Sequence, residues 1–373
     1  MNPSYPIAFY VSGHGFGHTS RVIEVIRAVL RRRPNAAVVV KTSAPRRLFE
    51  RALSGRIQFV ELSCDAGMVQ TDSLHIDEAE SIRQALAFQA ELPHKAEGEA
   101  AFLRQAGVRM VVGDIPPLAF EAANAAGVPS VAIGNFTWDW IYEGYPEHSP
   151  FELLQQIRAT YQKATRVLRL PMSGGFTGLE RVMRDIPFIA RQSRREPDEV
   201  RRELGLPPRP VDKPLVLVSF GGYGLAGLDS DGLGGLRDYR IATTDLPTGD
   251  RSIKPTPGLL YISEQQLYAS GYQYEDLVRA ADVVVTKPGY GIISESIAND
   301  TAILYTARGR FVEYDLLVKE MPRYLRAQYI SQDDLLKGNW APALEKLLNQ
   351  PAPTEKPGLN GADVAAEEIL KQG

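Results

Sequence analysis

The sequence is nearly without cysteine: Cys64 is the one thiol in 373 residues. A lone cysteine excludes an internal disulfide and a cysteine-built metal centre, which fits a reducing cytoplasm. An excess of either charge is lacking too, with 42 Lys and Arg against 45 Asp and Glu and a net charge of −3. That balance gives no footprint for nucleic acid, and Arg31-Arg32-Arg33 before Pro34 reads as a solvated helix end. No apolar run approaches the ~20 residues that cross a bilayer, so no transmembrane segment is expected, while peripheral membrane contact is left open. The opening Met1-Asn-Pro-Ser-Tyr-Pro6 lacks a signal-peptide core, and a cytoplasmic location is the expectation. What is present is ordinary for a globular chain, 44% hydrophobic and 23% charged residues, at a length that favours two domains over one core.

The chain is organised around Ile7-Ala-Phe-Tyr-Val-Ser-Gly13-His14-Gly15-Phe-Gly17-His18-Thr-Ser-Arg21. Residues 7–11 have strand character, the three glycines permit a tight turn, and apolar positions 22, 23, 25, 26, 29 and 30 recur with helical spacing. A helix is expected to open at Thr19-Ser20. Its N-terminal N–H groups could hold an anion or a developing negative charge. A loop that only binds phosphate needs no base, yet this one carries His14 and His18, so proton removal from a substrate is indicated. Packing or capping histidines are the plainer alternative.

Further strands are expected at 36–42, 57–62, 108–114 and 130–134, separated by helices at 45–53, 76–106 and 119–126. Such alternation predicts an α/β fold with a parallel sheet covered on both faces. Asp114 then stands at a strand's carboxyl end, where ligands of doubly wound sheets bind. It is readable either as a turn former or as the carboxylate that orients a histidine. A charged, proline-rich tract at 191–213 reads as a linker with a short helix, dividing a first domain, 1–190, from a second, 214–373, whose last helix is a candidate to pack back on the first. The second series restarts at Leu215–Phe220, then Gly221-Gly222, and continues with strands at 258–262, 282–286 and 302–305 and helices at 274–280 and 292–298. Two Rossmann-like, doubly wound domains facing a cleft is the expected architecture. Gly221 to Leu236, with seven glycines, reads as a mobile loop.

Within Lys287-Pro-Gly289-Tyr290-Gly291-Ile-Ile-Ser294-Glu295, loop amides suit a diphosphate and Glu295 suits ribose hydroxyls, although a G-x-G without a third glycine is a weak signal. An acidic residue favouring the helix dipole is the plainer reading of Glu295. Trp138, Trp140 and Tyr142 offer an aromatic platform for an acceptor, or simply core.

The motifs Gly13–Arg21, Asp65-Ala-Gly-Met-Val-Gln-Thr-Asp72, Asn135-Phe-Thr-Trp-Asp-Trp-Ile-Tyr142, Lys287–Glu295 and Asn360-Gly-Ala-Asp-Val-Ala-Ala366 together resemble the glycosyltransferase-like domain that precedes the sugar kinase in plant L-arabinokinases. More distantly the layout is similar to the MurG-type and plant-type nucleotide-sugar glycosyltransferases, of GT-B arrangement. That resemblance implies transfer of a sugar from a nucleotide diphosphate donor to an unidentified acceptor hydroxyl, inverting, with no metal or other cofactor. His18 matches the general base, with Asp114 behind it, and His14, Gly15, Gly17, Asn135 and Trp138 fall on the acceptor side. Gly221, Gly222, Lys287, Gly289, Tyr290, Gly291, Ser294, Glu295 and Glu313 fall on the donor side, with Arg308 and Arg310 available to the diphosphate. Glu313 stands where the wider group often has an Asp-Gln pair. A nucleotide-sugar epimerase of the same fold and a non-catalytic nucleotide-sugar-binding module are the alternatives.

Overall fold

The computed structural model describes residues 5–53, 55–206, 213–221, 228, 230–233, 235–244 and 259–371. The chain divides into two compact units. The first is Met1–Val69, Ile76–Ala190 and Gly358–Gly373; the second is Gln70–His75 and Arg191–Pro357.

The first unit is built on β1 (Tyr5–Val11), β2 (Ala36–Thr42) and β3 (Ile57–Glu61), followed, after a short ribbon of β4 (Val69–Gln70) and β5 (Ile76–Asp77), by β6 (Met110–Asp114), β7 (Ser130–Phe136), β8 (Arg166–Gly174) and β9 (Met183–Asp185). Seven of these form one parallel sheet in the order β3-β2-β1-β6-β7-β8-β9. Ile7 to Val11 and Met110 to Val112 are buried, as apolar runs in a sheet covered on both faces must be. The helix Phe16–Arg32 lays Val22, Val25, Ile26 and Val29 on this core, and the last helix, Gly361–Lys371, adds Ala365, Ala366 and Ile369 to the same cluster.

The second unit carries β10 (Leu215–Val218), β11 (Arg240–Thr243), β12 (Leu259–Tyr261), β13 (Val283–Thr286), β14 (Ala302–Tyr305) and β15 (Ala327–Tyr329). All are parallel in the order β12-β11-β10-β13-β14-β15. One face packs on Trp340, Leu344 and Leu347, the other on Leu267, Leu277 and Val278. Strand order reverses once in each sheet, between β1 and β6 and between β10 and β13, so each unit has one switch point at which loops part to opposite sides.

Both glycine-loop helices start earlier than their apolar spacing predicts. The first begins at Phe16 with Gly15 as N-cap at φ 82°, which puts His18 on the first helical turn, and the second begins at Tyr290. Gly17 and Gly291 in the first turns hid these starts, since apolar periodicity registers only where the helix meets the core. Strands β11 and β15 are absent from the sequence reading because Arg240-Ile-Ala-Thr243 and Ala327-Gln-Tyr329 hold no apolar run. Half of the glycine tract read as a mobile loop, including Gly222, lies outside the described residues; 230–233 form a helical turn. Among the described residues, no helix is long and apolar enough to cross a membrane.

Candidate active site

The pairing of β1 with β6 sets Val11 beside Asp114, and the Ser12 N–H donates to the Asp114 carbonyl at 2.9 Å. The chain therefore leaves β1 against the strand end that carries Asp114. On its other side the chain passes close to the end of β2, which Gly13 permits, because a Cβ there would lie 1.9 Å from Ser43 Oγ. One turn into the helix, His18 and Arg21 share a face at i,i+3 spacing and both point at the buried Asp114 carboxylate. His18 Nδ1 is 2.8 Å from Asp114 Oδ1; Arg21 donates to both oxygens, Nε to Oδ2 at 2.7 Å and Nη2 to Oδ1 at 2.6 Å. Arg21 Nη1 also donates to Asn135 Oδ1, and Asn135 Nδ2 to the Pro171 carbonyl at 2.7 Å. Burial alone would raise the Asp114 carboxyl, but the Arg21 charge and hydrogen bonds, with His18, hold it below its ordinary range. An ionised carboxylate only accepts, so a hydrogen bond between the two places a proton on His18 Nδ1, the nitrogen that Arg21 Nη2 also approaches, at 3.2 Å.

A second carboxyl stands in this cluster. Asp65, 8% exposed, accepts from Trp138 Nε1 at 3.0 Å and from the Ser12 hydroxyl. Burial raises its carboxyl above the ordinary range, with Asp114 adding to the rise, while the Ser12 and Trp138 hydrogen bonds and the His18 charge work against it. The loop it opens is braced from three sides. Met68 N–H reaches His14 Nδ1 at 3.4 Å, Gly67 abuts the His14 ring, and Tyr142 OH donates to the Gly67 carbonyl at 3.0 Å. His14 thus supports the loop, edge-on to Trp138. Of the two readings of the aromatic stretch, platform or core, this packing makes Trp138 and Tyr142 core, each 2% exposed and stacked on one another, while half-buried Trp140 lies against Gly174 and Gly175. The Trp138 Nε1–H and Tyr142 O–H hydrogen bonds point these two inward. Trp138 serves the site through Asp65, and Phe136 through its edge contact with the His18 ring.

In the second unit, Lys287–Gly289 leave β13 beside the end of β10, where Ser219 N–H meets the Val285 carbonyl at 2.9 Å and Gly221 takes φ 72°. Gly289 is the N-cap of the helix Tyr290–Asn299, which has no side-chain cap, and a Cβ on Gly289 would meet nothing within 4 Å. Tyr290 and Gly291 form the first turn, and Ser294 Oγ donates back to the Gly291 carbonyl at 2.9 Å. Lys287 Nζ donates to the Ser73 carbonyl at 2.7 Å. Buried Arg308 stacks over Phe311, donates to the Pro288 carbonyl at 3.2 Å and lies 3.4 Å from Glu313 Oε1; Arg310 is exposed. Glu295 is 4% exposed and takes Arg191 on Oε1 at 2.5 Å, with Glu275 3.7 Å from the same guanidinium. Burial opposes the Arg191 charge, yet the two glutamates hold it above its ordinary range.

Arg21, Asp65, Ser12 and Arg191 escaped the sequence reading as site residues. Arg21 and Asp65 lie in the Gly13–Arg21 and Asp65–Asp72 motifs, and a basic residue one turn after His18 is the available signal for Arg21. Arg191 opens the charged, proline-rich tract that reads as a linker. Among the described residues one group has metal-ligand spacing, Glu78, Glu147 and His148, none of them buried.

No family model matches the chain. It is similar to an L-arabinokinase of Arabidopsis thaliana, 29% identical over 381 residues, which take in 98% of this chain and 34% of that protein. It is also similar to an uncharacterised glycosyltransferase of Methanopyrus kandleri, 26% identical over 222 residues, 56% of this chain and 59% of that protein. The chain thus spans about a third of the first relative and under two thirds of the second. Among solved structures, the kitacinnamycin glycotransferase superposes with a TM-score of 0.64 at 17% identity, over 99% of each chain. A glycosyltransferase of Arabidopsis thaliana complexed with UDP superposes at 0.57 and 15% identity, over 99% of this chain and 95% of that one. The fold is that of the GT-B glycosyltransferases. Each unit of this GT-B chain has its polar cluster at the switch point of its own sheet, His18 with Asp114 in the first and the Gly289 loop in the second.

Proposed function

We propose that this protein is a glycosyltransferase that moves a sugar from a nucleotide diphosphate donor to an acceptor hydroxyl with inversion. The observation that carries the reading is the buried His18–Asp114 contact, 2.8 Å, at the β1/β6 switch point of a GT-B fold. His18 Nε2 would take the acceptor proton while that oxygen bonds to the anomeric carbon and the anomeric C–O bond breaks, its electron pair leaving on the diphosphate. The Nδ1–H to Asp114 contact fixes the ring and its tautomer. Lys287, Arg308, Arg310 and the N-terminus of the helix at Gly289 would neutralise the leaving group, with no metal in that role. Glu295, held on one side by Arg191, would accept from the ribose, and Glu313 from the donor sugar. His14, Gly15, Gly17, Asn135 and Trp138 shape the acceptor side. The relative complexed with UDP supports a uridine nucleotide as the first donor to try.

The test is to incubate the protein with a panel of nucleotide sugars and follow diphosphate release with and without cell extracts as acceptor source. Acceptor-dependent release that disappears in His18→Ala is the expected result. Sugar interconversion without release would replace the reading by an epimerase, and nucleotide binding with neither reaction would replace it by a binding module.

A further inference from the structure

The second unit takes in a short piece from the early part of the chain, Gln70–His75, and that piece is built as a closed turn. Thr71 N–H donates to the His75 carbonyl at 3.1 Å. The Asp72 carboxylate accepts from the N–H groups of Leu74 at 2.6 Å and His75 at 3.0 Å, and lies 2.9 Å from His75 Nδ1. An aspartate that bonds the backbone just ahead of it fixes a turn through its own side chain. The tip of this turn is its buried part. Leu74, 7% exposed, joins the core cluster that holds Val218, Phe220 and Leu304, and Ser73, 3% exposed, donates its hydroxyl to the Phe220 carbonyl at 3.3 Å. Gly309 passes so close that a Cβ there would lie 2.9 Å from the Leu74 carbonyl oxygen, and Lys287 Nζ donates to the Ser73 carbonyl at 2.7 Å. Phe220, Lys287 and Gly309 follow β10, β13 and β14, and the carboxyl ends of strands are where doubly wound sheets bind ligands.

We propose that the Gln70–His75 turn is part of the donor site, its Ser73 carbonyl holding the Lys287 ammonium in place for the diphosphate while Leu74 and Asp72 hold the carbonyl. The role rests on the glycosyltransferase reading, in which Lys287 meets the leaving group. A lysine carries its charge on a flexible four-carbon stem, and an ammonium that is not already placed must be ordered when the anion binds. Ordering it beforehand removes part of that cost. The chemistry of the partner matters as well. A carboxylate would cancel the charge that a diphosphate needs, whereas a carbonyl is a dipole without net charge, so this bond fixes the ammonium and leaves its charge. Because the acceptor is main chain, its place is set by the side chains on either side of it, Leu74 in the core and Asp72 across the turn. Both are thereby positioning residues that act through Lys287. The far end of the Asp65–Asp72 motif gains a purpose in this way, since Asp72 closes the turn that carries the carbonyl.

Asp72 is the residue to test, because its side chain is 45% exposed and its removal opens no cavity in the core, as Leu74→Ala would. Asp72→Ala loses the acceptor that closes the turn, while Asp72→Asn keeps an oxygen in its place. Calorimetry with UDP is expected to show binding weakened by roughly 3- to 10-fold in Asp72→Ala, the worth of about one hydrogen bond, and restored in Asp72→Asn. Uridine, which lacks the diphosphate, should bind both variants as it binds the parent. In a Lys287→Ala background Asp72→Ala should cost nothing further, since the turn acts through that lysine. Equal losses for UDP and uridine, or losses that add in the double variant, make the turn structural and overturn the proposal. Unchanged or tighter UDP binding in Asp72→Ala overturns it too: Lys287 then finds its place without the turn, or the Ser73 carbonyl sequesters it from the diphosphate. Hydrogen exchange without ligand is the second measurement. Amides 71–75 should exchange faster in Asp72→Ala than in the parent or Asp72→Asn, with 215–218 equally protected in all three, and an undisturbed turn in the alanine variant also overturns the proposal. If none of UDP, GDP and dTDP binds the parent, the glycosyltransferase reading fails and the proposal falls with it. With a parent that binds UDP and losses that add, the role of the turn fails alone.

Discussion

At the scale of single residues, the reading turns on which nitrogen of His18 is free. In the proposed mechanism Nδ1 stays on Asp114 and Nε2 takes the proton, so His18→Ala is expected to lower turnover by roughly 10² to 10⁴ while UDP affinity, measured by calorimetry, is unchanged. His14→Ala should cost less, through the loosened 65–68 loop. Equal loss in both variants would take the base role from His18. Asp114→Asn should slow turnover as well, and it has a second signature, in stability. The Asp114 carboxyl is lowered in the folded chain, so its ionised form contributes stability that is fully present above the unfolded value of about 3.9 and is lost as pH falls below that through the folded value. Urea unfolding of the parent should therefore show an acid-side loss that the asparagine variant lacks. An identical acid limb in the two proteins would mean that Arg21 does not hold the carboxylate.

Elements differ in how plainly the sequence announces them. The centres of β1, β2 and β13, residues 7–11, 38–40 and 283–285, are apolar runs buried on both faces, and the glycine turns behind β1 and β13 are readable from the glycines themselves. His18 with Asp114 was legible because strand ends gather at one edge of a parallel sheet. Asp65 and Arg191 were not, since their meaning lies in partners 73 and 104 residues away, Trp138 and Glu295. The 360–366 motif was legible as a signature and not as a purpose. Its purpose is docking: Gly361 N–H donates to the Phe188 carbonyl at 3.0 Å, Asp363 pairs with Arg31 and Arg32, and Ala365 and Ala366 reach the first core. A Cβ on Gly361 would lie 2.1 Å from the Pro187 carbonyl oxygen and 2.7 Å from that of Phe188. Backbone cannot yield as a side chain can, so Gly361→Ala is expected to destabilise the first unit by roughly 1 to 3 kcal/mol, read by urea unfolding. An unchanged midpoint would show that the helix does not need this approach.

For the whole molecule, each unit has its own core and its own switch point, so donor binding should register in one of them. Hydrogen exchange measured with and without UDP is expected to show new protection in 287–295 and none in 12–18, because the glycine loop and the uncapped helix at Gly289 belong to the second unit. Glu295→Gln should weaken UDP by roughly 1 to 3 kcal/mol, as loss of a charged acceptor does. Glutamine is the better probe than alanine, since it keeps an oxygen near Arg191 and leaves less of that buried guanidinium without a partner. The same titration repeated in EDTA should give the same affinity, and turnover should survive the chelator, because arginine, lysine and a helix end carry the diphosphate in the proposed mechanism. Activity lost to EDTA and restored by manganese would transfer that role to a metal. Protection appearing at 12–18 in place of 287–295 would place the nucleotide on the first unit and reverse the assignment of donor and acceptor sides.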